Sequence, residues 1–360
     1  MGADAAAFAA SEVWRHVVDA MADAALVLDA NGTVVHANAL VREMFAMAGT
    51  GQPISLVSRH PDFLAALDRV QATGERSSVG LRERVPVERQ LSATIAALPV
   101  ASPAPGVPRL LVTFRDLTEQ EKLEQMRVDF IANASHELRT PLASLRGYVE
   151  TLQGAASNDA AARERFLGIM WSQTIRMTRL VDDLLSLSRI EMRTHIAPSG
   201  VVDLNSVATF VCQTLEPIAR GQNVKLTLVG ASGPANVRGE REEIVQLVQN
   251  LVQNAIKYGR DGGSAAVSIV RSSERGRLGS RLSVIVRDDG PGIPSQHLPR
   301  LTERFYRVSV STSREKGGTG LGLAIVKHIA LRHRADLRIH SEVGVGSTFT
   351  VVFDEIEGRE

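Results

Sequence analysis

The stretch FIANASHELRTPLASLRGY, Phe130 to Tyr148, sets one histidine beside one acid on a segment whose apolar residues keep helical time. At about 100° per residue, Leu123, Phe130, Ile131, Ala134, Leu138, Leu142, Leu145, Val149 and Leu152 fall on one face. His136 then points nearly opposite that stripe, into water. Glu137 is placed to polarise the imidazole, and Thr140 lies one turn on, along the same face as His136. Pro141 inside the helix deletes a backbone hydrogen bond, a cost of roughly 3 kcal/mol that an ordinary helix avoids.

Working outward, helical character runs from Asp116 to Gly154, and a polar break at Gly154 to Asp159 precedes a second helix. Its residues Phe166, Met170, Met177, Leu180, Leu184 and Leu187, with Gln173 interrupting, are spaced by alternating fours and threes. This is a heptad seam, and an antiparallel hairpin carrying one can hide it against a second hairpin. The expectation is a homodimeric four-helix bundle over 117–195; the alternative is a hairpin packed only on its own chain.

Ser135 to Leu142 matches at every position the Ser-His-Glu-Leu-Arg-Thr-Pro-Leu pattern of the phosphoacceptor box of bacterial sensor histidine kinases, and the segment resembles that box. The resemblance implies that His136 takes the γ-phosphoryl of ATP on a ring nitrogen. It further implies that Glu137 is the general base, and that Thr140 helps place a water when the phosphoryl group is removed again.

Before the hairpin, residues 13–116 alternate short β-like runs with polar turns. The runs are Ala25 to Asp29, Val34 to Ala37, Gln90 to Leu98 and Arg109 to Arg115, with a helical patch through Met47. Asn31-Gly32 makes the first turn, and the loop Pro99 to Pro108 holds four prolines and a glycine. The opening resembles a PAS domain, and FRDLT, Phe114 to Thr118, resembles its exit into a signalling helix. Its histidines His16, His36 and His60 are more often exposed or core residues than haem ligands, and no tightly bound chromophore is expected.

Beyond Pro198, β-like runs at Val224 to Val229, Ala265 to Arg271, Leu282 to Arg287, Leu337 to His340 and Thr348 to Phe353 mix with helical patterns. The helices are Leu204 to Arg220, Glu240 to Tyr258 and Leu321 to Arg332. That order suggests an α/β sandwich over 200–356 rather than a wound parallel sheet. Asn250 and Asn254 lie four apart on one helix face, with Lys257 and Tyr258 following; an amide oxygen suits Mg²⁺, though paired asparagines equally suit a solvent-facing helix. Asp288-Asp289-Gly290-Pro291-Gly292 ends a β-run, where a carboxylate can accept from an exocyclic amine and glycines admit a ligand, or simply turn the chain. Lys316-Gly317-Gly318-Thr319-Gly320-Leu321-Gly322 runs into a helix, whose N-terminal amides favour phosphate. Gly344-Val345-Gly346-Ser347-Thr348-Phe349 opens the last strand.

Each motif is ambiguous alone, but their order resembles the N, G1, G2 and G3 boxes of the ATP-binding fold shared by histidine kinases, Hsp90 and DNA gyrase. Arg304-Phe305-Tyr306-Arg307 is similar to the kinase F box. The resemblance implies that Asn254 is the Mg²⁺ ligand with Asn250 close by, Asp288 the adenine reader, and Lys257 a phosphate contact. It also implies that Gly290 and Gly292 shape the base pocket, that Gly318, Gly320 and Gly322 form the lid hinge around the phosphates, and that Tyr258 and Leu321 are among the nucleotide-binding residues. The long segment Ile293 to Gly318, with Arg304, Arg307, Arg314, Lys316 and the Ser309 to Ser313 run, is expected to be a lid that orders on ATP.

The whole is expected to be an α+β multidomain protein. At 360 residues the chain has room for two or three cores, and 44% hydrophobic with 22% charged residues fits globular domains. A formal net charge of +1 gives no electrostatic case for nucleic acid. The single cysteine, Cys212, excludes an intramolecular disulfide and reads as a small buried apolar residue. No apolar run is long enough to span a membrane, and Asp4 and Glu12 stand where a signal peptide needs other residues. The expected setting is the bacterial cytoplasm, unless an anchor precedes this chain. The expected activity is an ATP-dependent histidine kinase that passes its phosphoryl group to an aspartate of a response regulator receiver domain. Another ATPase of the superfamily would lack the Ser135 to Leu142 box, and an inactive scaffold would not need every chemical position filled.

Overall fold

The computed structural model describes residues 13–83, 88–99, 106–154, 156–193, 196–272, 280–309 and 317–356. The chain's opening through Glu12, residues 100–105 of the proline-rich loop, and Ser311 to Ser313, Arg314 and Lys316 of the expected lid lie outside the described residues. Two compact units divide the chain, Met1–Asp129 and Phe130–Glu360.

The first unit contains α1 (Val13–Asp19), β1 (Ala24–Leu28), β2 (Val34–Ala37), α2 (Ala39–Met44), α3 (Pro61–Thr73), β3 (Ser77–Glu83), β4 (Arg89–Ala97) and β5 (Leu110–Asp116). Its sheet has the order β2-β1-β5-β4-β3 with every pair antiparallel. Asp29 builds the β1–β2 turn by accepting from the Asn31 and Thr33 amides, both at 2.9 Å, and Gly32 turns the chain at φ 72°. The four anticipated strands occur within about a residue of their ranges; α1, α3 and β3 were not anticipated. Proline at the first turn and Gly74 in the left-handed region at the C-cap delimit α3, which buries Phe63, Ala66, Leu67 and Val70. Phe63 and Phe45 meet Phe114 with ring centroids 5.7 and 5.0 Å apart, closing an apolar core.

The boundary between units falls within α4 (Thr118–Gln153), which holds Pro141 in its interior. Asp159 caps α5 (Ala160–Met192) by accepting from the Ala162 amide at 2.9 Å. Tyr148 stacks on Phe166 at 5.3 Å, joining the two helices. The heptad seam is used differently from the expectation. Leu180 and Leu187 are buried in their own chain's core with Leu184 packed against it, whereas Leu167, Trp171, Val181, Leu185 and Met192 remain exposed. The reason is that the following α/β domain covers the C-terminal part of the seam, so the uncovered apolar stripe is a neighbouring one.

That domain comprises β6 (Val201–Asp203), α6 (Leu204–Gly221), β7 (Lys225–Val229), β8 (Asn236–Arg238), α7 (Arg241–Tyr258), β9 (Ser264–Ser272), β10 (Arg281–Asp288), α8 (Gly322–Arg332), β11 (Asp336–Glu342) and β12 (Gly346–Asp354). Its main sheet has the order β11-β12-β10-β9-β7, with only β7–β9 parallel, and β6 pairs with β8 separately. Helices α6, α7 and α8 bury apolar stripes against Val267, Val284, Val286 and Val351, while β7 and β11 alternate exposed and half-buried positions. This is the α/β sandwich expected from the order of elements. Among the described residues, no helix is long and apolar enough to cross a membrane.

Candidate functional site

The rotation of α7 is fixed by Leu247, Leu251 and Ala255, spaced four apart and buried. That rotation leaves Asn250 and Asn254 half-buried beside the start of α8: a methyl group on Gly322 would sit 3.7 Å from Asn250 Oδ1. Asn250 Nδ2 is buried with no hydrogen-bond partner, an arrangement that normally marks a missing acceptor. At the end of α7, Lys257 Nζ lies 5.1 Å from the Tyr258 ring centre.

Strand β10 delivers Asp288 into the interior, where Oδ1 accepts from the Gly290 amide at 2.9 Å and the Ser347 amide at 3.3 Å. Burial pushes its carboxyl above the ordinary carboxylate value; the two amides oppose that and the neighbouring Asp289 adds to it. Three glycines make the surrounding turns possible. A side chain at Gly290 would lie 2.5 Å from the Tyr258 carbonyl oxygen. At Gly292 (φ 71°) and Gly346 (φ 134°), one would strike the carbonyls of Glu342 and Asp288. The Asp-Gly-Pro-Gly turn, the last glycine motif and the end of α7 are thereby pressed into one structure. Asp289 completes it, accepting from the Ser264 amide at 2.7 Å and its hydroxyl at 2.9 Å, with Oδ1 buried and unpartnered.

The glycine-rich loop is locked to the Arg304–Arg307 motif. The Phe305 amide donates to Gly320 O at 2.8 Å, and Gly320 (φ 77°) has no room for a side chain against the Phe305 backbone, 2.9 Å away. Gly318 and Leu321 are buried, and Gly322 opens α8. The Leu321 amide donates to Thr319 Oγ1 at 3.3 Å.

On α4, His136 is exposed, as its helical phase required. Thr140 is also exposed, and its hydroxyl donates to the His136 carbonyl at 3.1 Å. The Glu137 carboxylate lies between two guanidiniums, Arg176 of α5 at 3.0 Å and Arg307 at 2.9 Å. Arg307, with a side chain 4% exposed, also donates to the Thr319 carbonyl at 2.9 Å, and Thr319 Oγ1 donates to Asp183 of α5 at 2.7 Å. Arg304 pairs with Glu191 at 2.6 Å. The phosphoacceptor box and the glycine-rich loop thus meet through Arg307. Sequence reasoning did not find Arg176, Asp183 or the part played by Thr319; Arg307 and Thr319 stood inside quoted motifs, whereas nothing in spacing singles out Arg176 or Asp183. Cys212 is buried, and burial together with Glu216 pushes its thiol up to about 11, which suits an inert core residue.

Comparison with known proteins identifies both parts. Residues 239–357 match the family of histidine kinase-, DNA gyrase B- and HSP90-like ATPases, and residues 126–193 match the His Kinase A (phospho-acceptor) domain. The phosphate regulon sensor protein PhoR of Pseudomonas aeruginosa is 36% identical over 337 residues, 93% of this chain and 72% of that protein. The sensor histidine kinase WalK of Bacillus subtilis is 35% identical over 251 residues, 70% of this chain but only 40% of that protein. In fold, the chain resembles the histidine kinase ThkA, solved in complex with the response regulator protein TrrA, with a TM-score of 0.50 at 18% identity over 94% of this chain and 98% of that one. An ATP-binding domain of the gyrase and Hsp90 type, joined to a phosphoacceptor hairpin and carried by an extensive likeness to PhoR, places this chain in the family of sensor histidine kinases.

Proposed function

We propose that His136 is the phosphoacceptor of this kinase, and that ATP held in the α/β domain donates its γ-phosphoryl group to a ring nitrogen of His136. The observation that carries this reading is the polar chain from Glu137 through Arg307 to the Thr319 carbonyl, which ties the histidine's neighbour to the phosphate-favouring loop. Asp288 suits reading the adenine amine, since a buried acceptor rejects a base that cannot donate. The unpartnered Asn250 amide suits a phosphate oxygen, as do the loop amides from Gly318 to Gly322 at the start of α8.

Mg²⁺ fits this donor set. Asn254 is half-buried on α7, and its amide oxygen is a hard, neutral ligand that would leave the remaining positions of the cation to phosphate oxygens and water. When bound, it would neutralise charge on the β- and γ-phosphates. Glu137 takes the imidazole proton once a rearrangement frees its carboxylate from Arg176 and Arg307. Thr140 helps place the water for hydrolytic removal of the phosphoryl group, which leaves as inorganic phosphate.

The phosphoryl group then passes to an aspartate of a receiver domain. The exposed stripe of Leu167, Trp171, Val181 and Leu185 faces a second copy of the hairpin, giving a homodimer. Residues 13–116 act as a PAS-like sensor working through α4. Labelling the full chain with γ-labelled ATP, then adding receiver-domain proteins one at a time, tests the sequence of steps. The expected result is rapid loss of label from the kinase and its appearance on one regulator; label that never leaves the kinase contradicts the transfer.

A further inference from the structure

Asp183 lies on the hairpin, yet its carboxylate serves the nucleotide domain. It accepts from Thr319 Oγ1 at 2.7 Å, and the same hydroxyl accepts from the Leu321 amide at 3.3 Å, at the residue before the first turn of α8. One oxygen atom of Thr319 therefore connects α5 to the end of the glycine-rich loop. The Thr319 carbonyl is held independently by Arg307, whose other bond is to Glu137. The loop is gripped by both helices of the hairpin, by α4 through Glu137–Arg307 and by α5 directly. Asp183 is half-buried and faces Thr319, Asp182, Arg179 and Lys257; burial holds its carboxyl above the ordinary value, the Thr319 bond pulls it down, and Lys257 lies near enough to act on its charge. The half-buried carboxylate is thus spent on the one hydroxyl of the glycine-rich loop.

We propose that Asp183 is a positioning residue for phosphoryl transfer: by holding the Thr319 hydroxyl it registers the glycine-rich loop, and the phosphates bound there, against the helix pair that carries His136. The inference rests on the kinase reading above. It assigns Asp183 no contact with the reacting atoms, so its loss acts on the rate of transfer and not on nucleotide capture.

The test measures autophosphorylation rates across ATP concentrations in the full chain for wild type, Asp183→Ala, Thr319→Val, Thr319→Ser and the double variant Asp183→Ala with Thr319→Val. Affinity is measured in parallel with a fluorescent ATP analogue. Asp183→Ala, which removes the acceptor that an asparagine would keep, and Thr319→Val should each lower kcat about 10-fold, with affinity within about 3-fold of wild type. The double variant should be no slower than Thr319→Val alone, because once the hydroxyl is gone position 183 has nothing to hold. Thr319→Ser keeps the hydroxyl and should keep the rate, and it carries the test against Thr319→Val should Asp183→Ala not fold. Unchanged kcat, multiplying penalties, or affinity falling in step with rate would each overturn the proposal. Absence of label on His136 in the wild type would instead remove the kinase reading beneath it.

Discussion

The two five-stranded sheets of this chain differ in what their buried polar groups do. In the N-terminal unit, Asn38 is spent entirely on architecture: Oδ1 accepts from the Ala25 and Val41 amides, each at 3.0 Å, and Nδ2 donates to the Val18 and Asp23 carbonyls at 3.3 and 3.0 Å. Asp29 likewise accepts from three backbone amides, those of Asn31, Thr33 and Gly106. His60 Nδ1, unbonded, still has Asp62 at 3.7 Å. In the C-terminal domain, Asn250 Nδ2 and Asp289 Oδ1 are buried without partners, and Asp288 is buried with its carboxyl held above the usual range. A satisfied polar group fixes a fold, whereas an unsatisfied one at a cluster of tight glycines marks where a ligand enters.

The sharpest way to break this contrast is Gly292→Ala. Its backbone lies at φ 71° and the added methyl would strike the Glu342 carbonyl, so the C-terminal domain should lose more than about 3 kcal/mol. Urea unfolding should show that domain's transition moving while the N-terminal transition stays in place. Asp288→Asn should leave both transitions nearly unmoved and weaken ATP binding by about 100-fold, measured by titration with a fluorescent analogue. Asn38→Ala should do the reverse, costing the N-terminal unit about 2 kcal/mol with no change in nucleotide affinity.

The smallest effect concerns pH. Burial works to raise the Asp29 carboxyl, but the Gly106, Thr33 and Asn31 amides outweigh it and hold it below 3.8; its contribution is present above that value and lost as pH falls through the lowered one. Asp288 is held above 3.8, so its contribution is present below that value and lost as pH rises through the raised one. Urea midpoints taken from pH 7 to pH 3 should show Asp29→Asn flattening the acid loss of the N-terminal unit. Asp288→Asn should remove an opposite trend in the C-terminal domain.

What was legible in the chain was local. The exposure of His136 agrees with its helical phase, although Ile131, Leu142 and Val149 of the opposite stripe are exposed as well; the C-terminal strands and helices follow from period and from glycine turns, each within a residue or two of its place. The nucleotide residues were readable because glycine and asparagine stand where close backbone approach requires them, as Gly292 and Gly346 do against carbonyls. What escaped was set by distant partners. The three-residue strands β6 and β8 exist only through each other, Val202 opposite Val237. The covering of Leu180 and Leu187 depends on a domain that follows them in sequence. Glu137 could be read as the histidine's helper, but not as the partner of Arg307, 170 residues away.

The central claim is that the domain with unsatisfied polar groups phosphorylates His136. The direct measurement is incubation of wild type and His136→Gln with γ-labelled ATP, followed by acid and alkali treatment of the protein. Label that is alkali-stable, acid-labile and absent from His136→Gln is the predicted result; label that persists in that variant would contradict the account.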